Sequence, residues 1–423
     1  MNQSVRFKKS AAFIATAMLV IMLCAVVSCD GGKKESGQSQ NVSDADIAVS
    51  SGEPEEAAPS VVSLSDVSME LGYGITRRIA ASGGDQLEWK SSDDQVASVD
   101  SSGNVKGAGL GECVITVRNE YGNSAECAVT VKKTCYLTFD DGPTGYADNL
   151  LDALKETDVK ATFFLVETPF FPIVERMAAE GHVLGLHTRR FHTYKDEFYY
   201  FVNLDLMNDD LEEYTGRRAD MLRFPGGSNN TFTDDRNMRR VINGAHDLGY
   251  RVFDWTMSVG DASSGASYER SCTMLYSKCV HNQEIVLMHD KSFTPSVIRR
   301  MVPVLRERGY VFETLDHYPE DSYEFTPRFN RNHQQDIPSE SVVMNKQETE
   351  LEIGAEYTLK AILTPDLSTD FVVWQSSDEK VVTIDKGGKI TGVAEGEAVI
   401  TVRTTSGKTA SCKVKVVSGQ ESR

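Results

Sequence analysis

The sequence predicts a multidomain chain: a central α/β domain on a parallel sheet, flanked by two small all-β sandwiches. Two observations predict it. From about Cys135 to Thr314, short apolar runs alternate with helical stretches, the pattern of a sheet covered by helices. On either side one pattern recurs at a constant offset of 285 residues (374 − 89 and 399 − 114). Trp89-Lys90-Ser91-Ser92-Asp93 returns as Trp374-Gln375-Ser376-Ser377-Asp378, and Val114-Ile115-Thr116-Val117-Arg118 as Val399-Ile400-Thr401-Val402-Arg403. Two copies of one module therefore flank the middle. Length agrees, since 423 residues at about 150 per domain make two to three domains.

Taken in order, residues 1–29 read as a lipoprotein signal peptide. Arg6, Lys8 and Lys9 precede an apolar run from Ala11 to Val27, and Val26-Val27-Ser28-Cys29 ends it with small residues and a cysteine, the expected lipidation site. An uncleaved anchor competes, because a spanning helix needs about 20 apolar residues and the run is slightly short of that. The cysteine standing where the run stops favours the lipoprotein. Either way the bulk of the protein is expected outside the cytoplasm, lipid-anchored to the cell membrane or secreted. Residues 30–60, rich in Gly, Ser, Glu and Gln, bury too little apolar surface to offset the entropy of ordering and read as a flexible tether.

The first module is expected over 61–133, the middle domain over 134–318, a linker over 319–337 and the second module over 338–418. Alternating runs such as Val114-Ile115-Thr116-Val117 and Ala128-Val129-Thr130-Val131, punctuated by Gly and Asn, suggest short strands of a sandwich. Trp89 and Trp374 read as core residues. Cys113 and Cys127 flank a hairpin turn, so a bridge is conceivable. The second module keeps Cys412 opposite Cys127 but has Ala398 opposite Cys113, which favours buried core thiols. Cys272 and Cys279 lie seven apart in a helical stretch, about 10 Å along its axis, too far to bond.

The middle domain opens with Cys135–Thr138 as a strand and continues with helix 147–156, strand 161–166, helix 173–180 and strand 182–186. Then come helix 202–214, strand 221–224, helix 238–248 and a single strand over 251–256. Helix 269–280, strand 285–288, helix 296–307 and strand 310–314 complete it. In parallel β/α folds the site forms at the carboxyl ends of the strands. The chemistry-bearing residues fall there: Thr138-Phe139-Asp140-Asp141-Gly142-Pro143, His187-Thr188 with His192, Arg223-Phe224-Pro225-Gly226-Gly227, Asp261, and Leu287-Met288-His289-Asp290. Asp-Asp-Gly-Pro alone is also an ordinary polar turn. Two adjacent carboxylates at a strand end nevertheless call for a cation or a shared proton.

With these five clusters in order, the region from about Lys133 to Leu315 resembles the polysaccharide deacetylases, the NodB-homology domains of carbohydrate esterase family 4. The resemblance implies a distorted, incomplete (β/α) barrel. The flanking modules, with Trp, Ser-Ser-Asp, a Gly-rich turn and a closing Gly-Glu-x-x-Ile-Thr-Val hairpin, resemble the bacterial immunoglobulin-like domains of group 2. One departure stands out. The family pattern is His-Ser/Thr-x-x-His, whereas His187-Thr188-Arg189-Arg190-Phe191-His192 carries one residue more. On a helix that would rotate the second imidazole by about 100°, while a loop can bulge to absorb it.

The residue types support the chemistry. One carboxylate and two imidazoles, Asp141, His187 and His192, can hold a divalent metal, Zn2+ by the character of these donors, and leave positions open for water and substrate. Asp140 is placed to take the proton of the attacking water, and an N–H of Pro225-Gly226-Gly227 to meet the oxyanion. His289 is the candidate acid for the departing group. Asp254 and Asp261 compete to orient its ring; Asp261, in the loop beyond the strand and matching the family motif, is favoured. Arg223 matches the family arginine that orients the base. His182, His246, His281, His317 and His333 fall outside the motifs and receive no role.

The net charge of −18 and a pI near 5.0 leave no basic patch for phosphates, which excludes nucleic acid as a natural partner and makes an acidic polymer a poor substrate. The expected function is removal of acetyl groups from a polysaccharide containing N-acetylglucosamine, such as peptidoglycan or another N-acetylated glycan, by a metal-dependent enzyme held at the membrane through its lipid. An esterase acting on O-acetylated xylan is the rival within the class. A surface adhesin or glycan-binding protein with a decayed site is the rival outside it.

Overall fold

The computed structural model describes residues 61–188, 197–228, 230, 232–319 and 336–418. The expected signal with Cys29, the tether, most of the linker and His192 lie outside the described residues. The middle of the chain runs β1 (Ser124–Gly142), α1 (Ala147–Glu156), β2 (Thr162–Val166), α2 (Phe171–Ala179), β3 (Val183–Thr188), α3 (Glu197–Thr215) and β4 (Met221–Leu222). It continues with α4 (Asp235–Asp247), β5 (Arg251–Val252), β6 (Met257–Ser258), α5 (Tyr268–Lys278), β7 (Gln283–His289), α6 (Thr294–Glu307) and β8 (Tyr310–Phe312).

Local chemistry sets the helix starts. The Asp234 carboxylate accepts from the N–H of Asn237 at the head of α4, and Ser267 Oγ from Arg270 at the head of α5; α2 and α6 carry proline in the first turn, where a missing N–H costs nothing. Helix α3 begins five residues before its expected start at 202, with Tyr200, Phe201 and Leu204 buried on it. The strands are largely apolar because both faces are covered: Leu137, Phe139, Phe163 and Leu165 pack with the helices, and Tyr136, Phe164 and Ile285 pack on the other face. Thr-Phe-Phe-Leu in β2 is buried at every position.

The strands pair in parallel in the order β5-β4-β3-β2-β1-β7-β6, with β8 beside the beginning of the middle-domain part of β1. Phe164 of β2 and His289 of β7 both stand opposite Asp140, so neighbouring strands end level with the paired carboxylates. Of the expected strand 251–256 only Arg251–Val252 is a strand, and the next one, Met257–Ser258, begins beyond it. Between them Phe253 N–H bonds Leu222 O at 2.8 Å and Thr256 N–H bonds Ile285 O at 2.9 Å, so the segment crosses from one edge of the sheet to the other. The carbonyls of Phe253 and Asp254 are taken by the guanidinium of Arg223 rather than by a strand. That is why the ladder breaks.

The two flanking modules join the middle differently. In the first, strands Ser68–Gly72, Leu87–Ser91 and Gly111–Asn119 form a sheet whose remaining strand is the first half of β1. The second half of β1 is the middle strand of the α/β sheet, so one continuous strand serves both. Their cores also merge: Leu71, Ile75, Ile115 and Val129 share a buried cluster with Tyr136, Phe164, Met221, Phe253, Ile285 and Leu315. Cys113 stands opposite Val129 and Cys127 opposite Ile115, so the two thiols are not cross-strand partners; both are buried and unbonded, as expected, and Cys272 and Cys279 are unbonded too.

The second module sits on α3 and α4 through side chains. The Phe371 ring packs edge-on against Phe201 with centroids 5.0 Å apart, and a Cβ at Gly244 would lie 2.7 Å from it. Arg403 Nη2 donates to both carboxylate oxygens of Asp247 at 3.0 Å, and Arg240 Nε to Ser368 O at 3.1 Å.

A chain beginning at Lys133 would expose the aromatic rings of the shared core and lose part of β1's partners. It is expected to lack a cooperative unfolding transition in calorimetry, whereas a melt matching that of the full chain would show the first module to be separable.

Candidate active site

Alternation along β1 puts Thr138 and Asp140 on the same face, and both are buried. The cation that makes a buried carboxylate tolerable is Arg223, itself without solvent exposure. Its Nη1 donates to Asp140 Oδ1 at 2.9 Å and to Thr138 Oγ1 at 2.7 Å; Nε donates to Phe253 O at 3.0 Å and Nη2 to Asp254 O at 2.8 Å. The guanidinium lies 4.2 Å from the Phe164 ring centroid, a cation–π contact. Asp140 is thereby fixed by one oxygen. Its other oxygen, Oδ2, lies 3.9 Å from His187 Nε2.

Asp141 has φ of +65°, a left-handed conformation that short polar residues tolerate best. Its Oδ1 is 3.4 Å from His187 Nε2 and its Oδ2 3.8 Å from His289 Nε2. Oδ1 is buried with no hydrogen-bond partner. His187 is the penultimate residue of β3, and its Nδ1 lies 2.7 Å from the Arg223 carbonyl, which fixes the ring with Nε2 facing both aspartates. An orphaned carboxylate oxygen beside an imidazole held by its far nitrogen fits a divalent metal. Among the described residues no three His, Cys, Asp or Glu side chains converge as a metal set, so Asp141 and His187 supply two of the three expected donors and His192 lies outside the description.

His289 ends β7 on the opposite side of Asp141. Asp261, in the loop after β6, receives its backbone N–H at Oδ2 (2.6 Å) and lies 2.9 Å from its Nδ1 at Oδ1, so Nε2 points toward the carboxylate pair. Burial alone would lower the pKa of this imidazole. The hydrogen bond and charge of Asp261, with the charges of Asp140 and Asp141, outweigh burial and hold it above its ordinary value. The rival Asp254 is occupied elsewhere: its Oδ1 accepts from Ser228 N–H at 2.8 Å and its Oδ2 bonds the Ser228 hydroxyl.

The loop 225–228 is a tight turn with both glycines left-handed, φ of +73° at Gly226 and +76° at Gly227. A Cβ at Gly227 would stand 3.0 Å from the Trp255 ring and from Asp254 Oδ1, so only glycine fits there. The expectation that any N–H of this loop could meet an oxyanion needs narrowing. Gly227 N–H is spent on Phe224 O at 2.7 Å, which leaves that of Gly226 as the candidate.

The structure thus gathers Asp140, Asp141, His187, Arg223, Asp261 and His289. Sequence reading gave no role to Thr138 and Asp290, which stand inside its motifs, and did not single out Ser228. Thr138 could have been found from its place two residues before Asp140 on one strand face. Asp290, 3% exposed, accepts from Thr144 N–H at 2.8 Å and Thr144 Oγ1 at 2.7 Å, tying the loop after β1 to the end of β7.

The polysaccharide deacetylase family model matches residues 128–253, and that of the bacterial Ig-like domain, group 2, matches residues 58–129 and 338–416. A peptidoglycan-N-acetylglucosamine deacetylase of Bacillus cereus is 32% identical over 205 residues, spanning 45% of this chain and 71% of the relative. A chitin deacetylase of Colletotrichum lindemuthianum is 29% identical over 220 residues, 44% of this chain and 81% of the relative. A solved catalytic domain of the peptidoglycan N-acetylglucosamine deacetylase from Eubacterium rectale is 34% identical, with 44% of this chain and 89% of that one aligned at a TM-score of 0.41. The chain belongs to the polysaccharide deacetylase family of hydrolases.

Replacing Arg223 by methionine keeps much of the volume but strands Asp140 as an uncompensated buried charge. Arg223→Met is expected to cost about 3–5 kcal/mol in urea unfolding; a loss below about 1 kcal/mol would mean that water or another cation reaches Asp140.

Proposed function

We propose that the chain removes acetyl groups from a cell-wall or extracellular polysaccharide containing N-acetylglucosamine, by metal-dependent hydrolysis. The observation that carries this reading is the opposition of two held groups across Asp141: Asp140 on its Arg223 anchor on one side, His289 on its Asp261 anchor on the other. Relatives named for peptidoglycan and chitin support the substrate class.

Asp141 and His187 would hold a divalent metal, Zn2+ by the character of these donors, with His192 as the third ligand. Bound there, the metal supplies positive charge that acidifies a water and polarises the acetyl carbonyl. Asp140 takes the proton of the attacking water at Oδ2, the oxygen that Arg223 leaves open. The Gly226 N–H is available to the oxyanion. His289, with Nδ1 held by Asp261, delivers a proton from Nε2 to the departing amine, and the Asp261 hydrogen bond and the surrounding carboxylate charges favour its protonated form.

The strand run from β5 to β6, joined across its ends by residues 253–256, supports reading the middle as an incomplete (β/α) barrel over 134–318 between Ig-like modules at 61–133 and 338–418. The basic and apolar leader ending at Cys29 supports export and lipid anchoring, with the enzyme acting outside the cytoplasm.

Acetate release from N-acetylglucosamine oligomers is expected to vanish with chelator, return with added Zn2+ and fall about 100-fold or more in Asp140→Asn, as loss of a general base requires. Release that survives both treatments would sink the mechanism. On the alkaline side, activity should fall as pH rises through the His289 pKa and its acid form is lost. Asp261→Asn removes the largest of the influences that raise that pKa, so the alkaline limb should move to lower pH; an unmoved limb would show that His289 is not the acid.

A further inference from the structure

Three exposed aromatic side chains stand on loops that leave the carboxyl ends of the sheet: Tyr146 after β1, Phe170 after β2 and Phe232 after β4, exposed by 47%, 43% and 50%. Single exposed aromatics are ordinary on a protein surface. These three share a local device. In each, the backbone N–H of the aromatic is accepted by a side-chain oxygen two residues earlier: Thr144 Oγ1 for Tyr146 at 3.1 Å, Thr168 Oγ1 for Phe170 at 3.0 Å, Asn230 Oδ1 for Phe232 at 3.0 Å. The turn is pinned and each side chain stays about half exposed.

Two of the pins reach into the site itself. Thr144 is the residue that Asp290, next to His289, holds through its N–H and hydroxyl, so Tyr146 is indexed to the candidate acid. Asn230 Nδ2 donates to Gly227 O at 2.7 Å, and a Cβ at Gly226 would lie 3.1 Å from Phe232 Cε2, so the Phe232 ring covers the turn that carries the candidate oxyanion donor. Phe170 follows the strand whose Leu165 stands opposite Gly142.

We infer that Tyr146, Phe170 and Phe232 are stacking platforms for pyranose rings flanking the ring that loses its acetyl group, and that they set the preference for long glycan chains. Pyranose rings carry apolar C–H faces and polar edges. A flat, amphipathic aromatic held in place binds such a face with little entropy to lose. The inference rests on the polysaccharide reading of the site and adds which residues grip the chain beyond the reacting sugar.

The test uses the full chain with two readouts. Calorimetry of the Asp140→Asn protein measures binding of an N-acetylglucosamine hexamer without turnover, alone and combined with Tyr146→Ala, Phe170→Ala or Phe232→Ala. Each aromatic substitution is expected to weaken hexamer binding about 5- to 10-fold. In the otherwise unsubstituted chain each should raise KM for the hexamer more than for the dimer. Hexamer affinity and KM unchanged in all three variants, or no hexamer binding by Asp140→Asn itself, would overturn the inference. Binding that the substitutions weaken, in a chain that releases no acetate from any oligomer, would support the platforms and defeat the deacetylase reading instead.

Discussion

The site depends on one buried guanidinium. Arg223 has no contact with water, yet it binds Thr138 and Asp140 of β1 and two carbonyls of the segment that crosses beneath the site. A charge in such a place is held only if each neighbour offers an acceptor in the right direction, so its partners cannot drift independently. The same residue's carbonyl orients His187. One side chain and its own backbone therefore set Asp140, the His187 imidazole and the break between β5 and β6.

The second constraint is β1. Because its first half belongs to the Ig-like sheet and its second half ends in Asp140 and Asp141, the first module is a continuation of the scaffold that aims the carboxylates. The buried cluster running from Leu71 to Phe253 removes the usual hinge between domains. The second module, resting on α3 and α4 through Phe371 and Arg403, touches the helical layer.

Much of this was legible in the residues. Period and punctuation gave the alternation of strands and helices, and the 285-residue repeat gave the two modules and the core role of their cysteines. Choosing Asp261 over Asp254 as the partner of His289 followed from loop against strand position, and the contact agrees. What escaped was the consequence of long-range polar contacts. Residues 251–256 carry a strand pattern, yet Arg223, some thirty positions earlier in the chain, claims their carbonyls. Likewise Gly226 and Gly227 announce a turn without saying which N–H the turn consumes. The longer spacing from His187 to His192 is visible in the sequence, and its structural resolution falls outside the described residues.

The length of β1 has a mechanical side. Its 19 residues cover about 60 Å at the rise of a strand. A pull directed along the strand axis would find continuous hydrogen-bonded neighbours at every stage of its length. Its ladder bonds to partners on both sides lie across that direction and would be loaded in shear together, sharing the force instead of opening one by one. Under such a pull Asp140 and Asp141, at the end of that strand, would keep their spacing from His187 and His289.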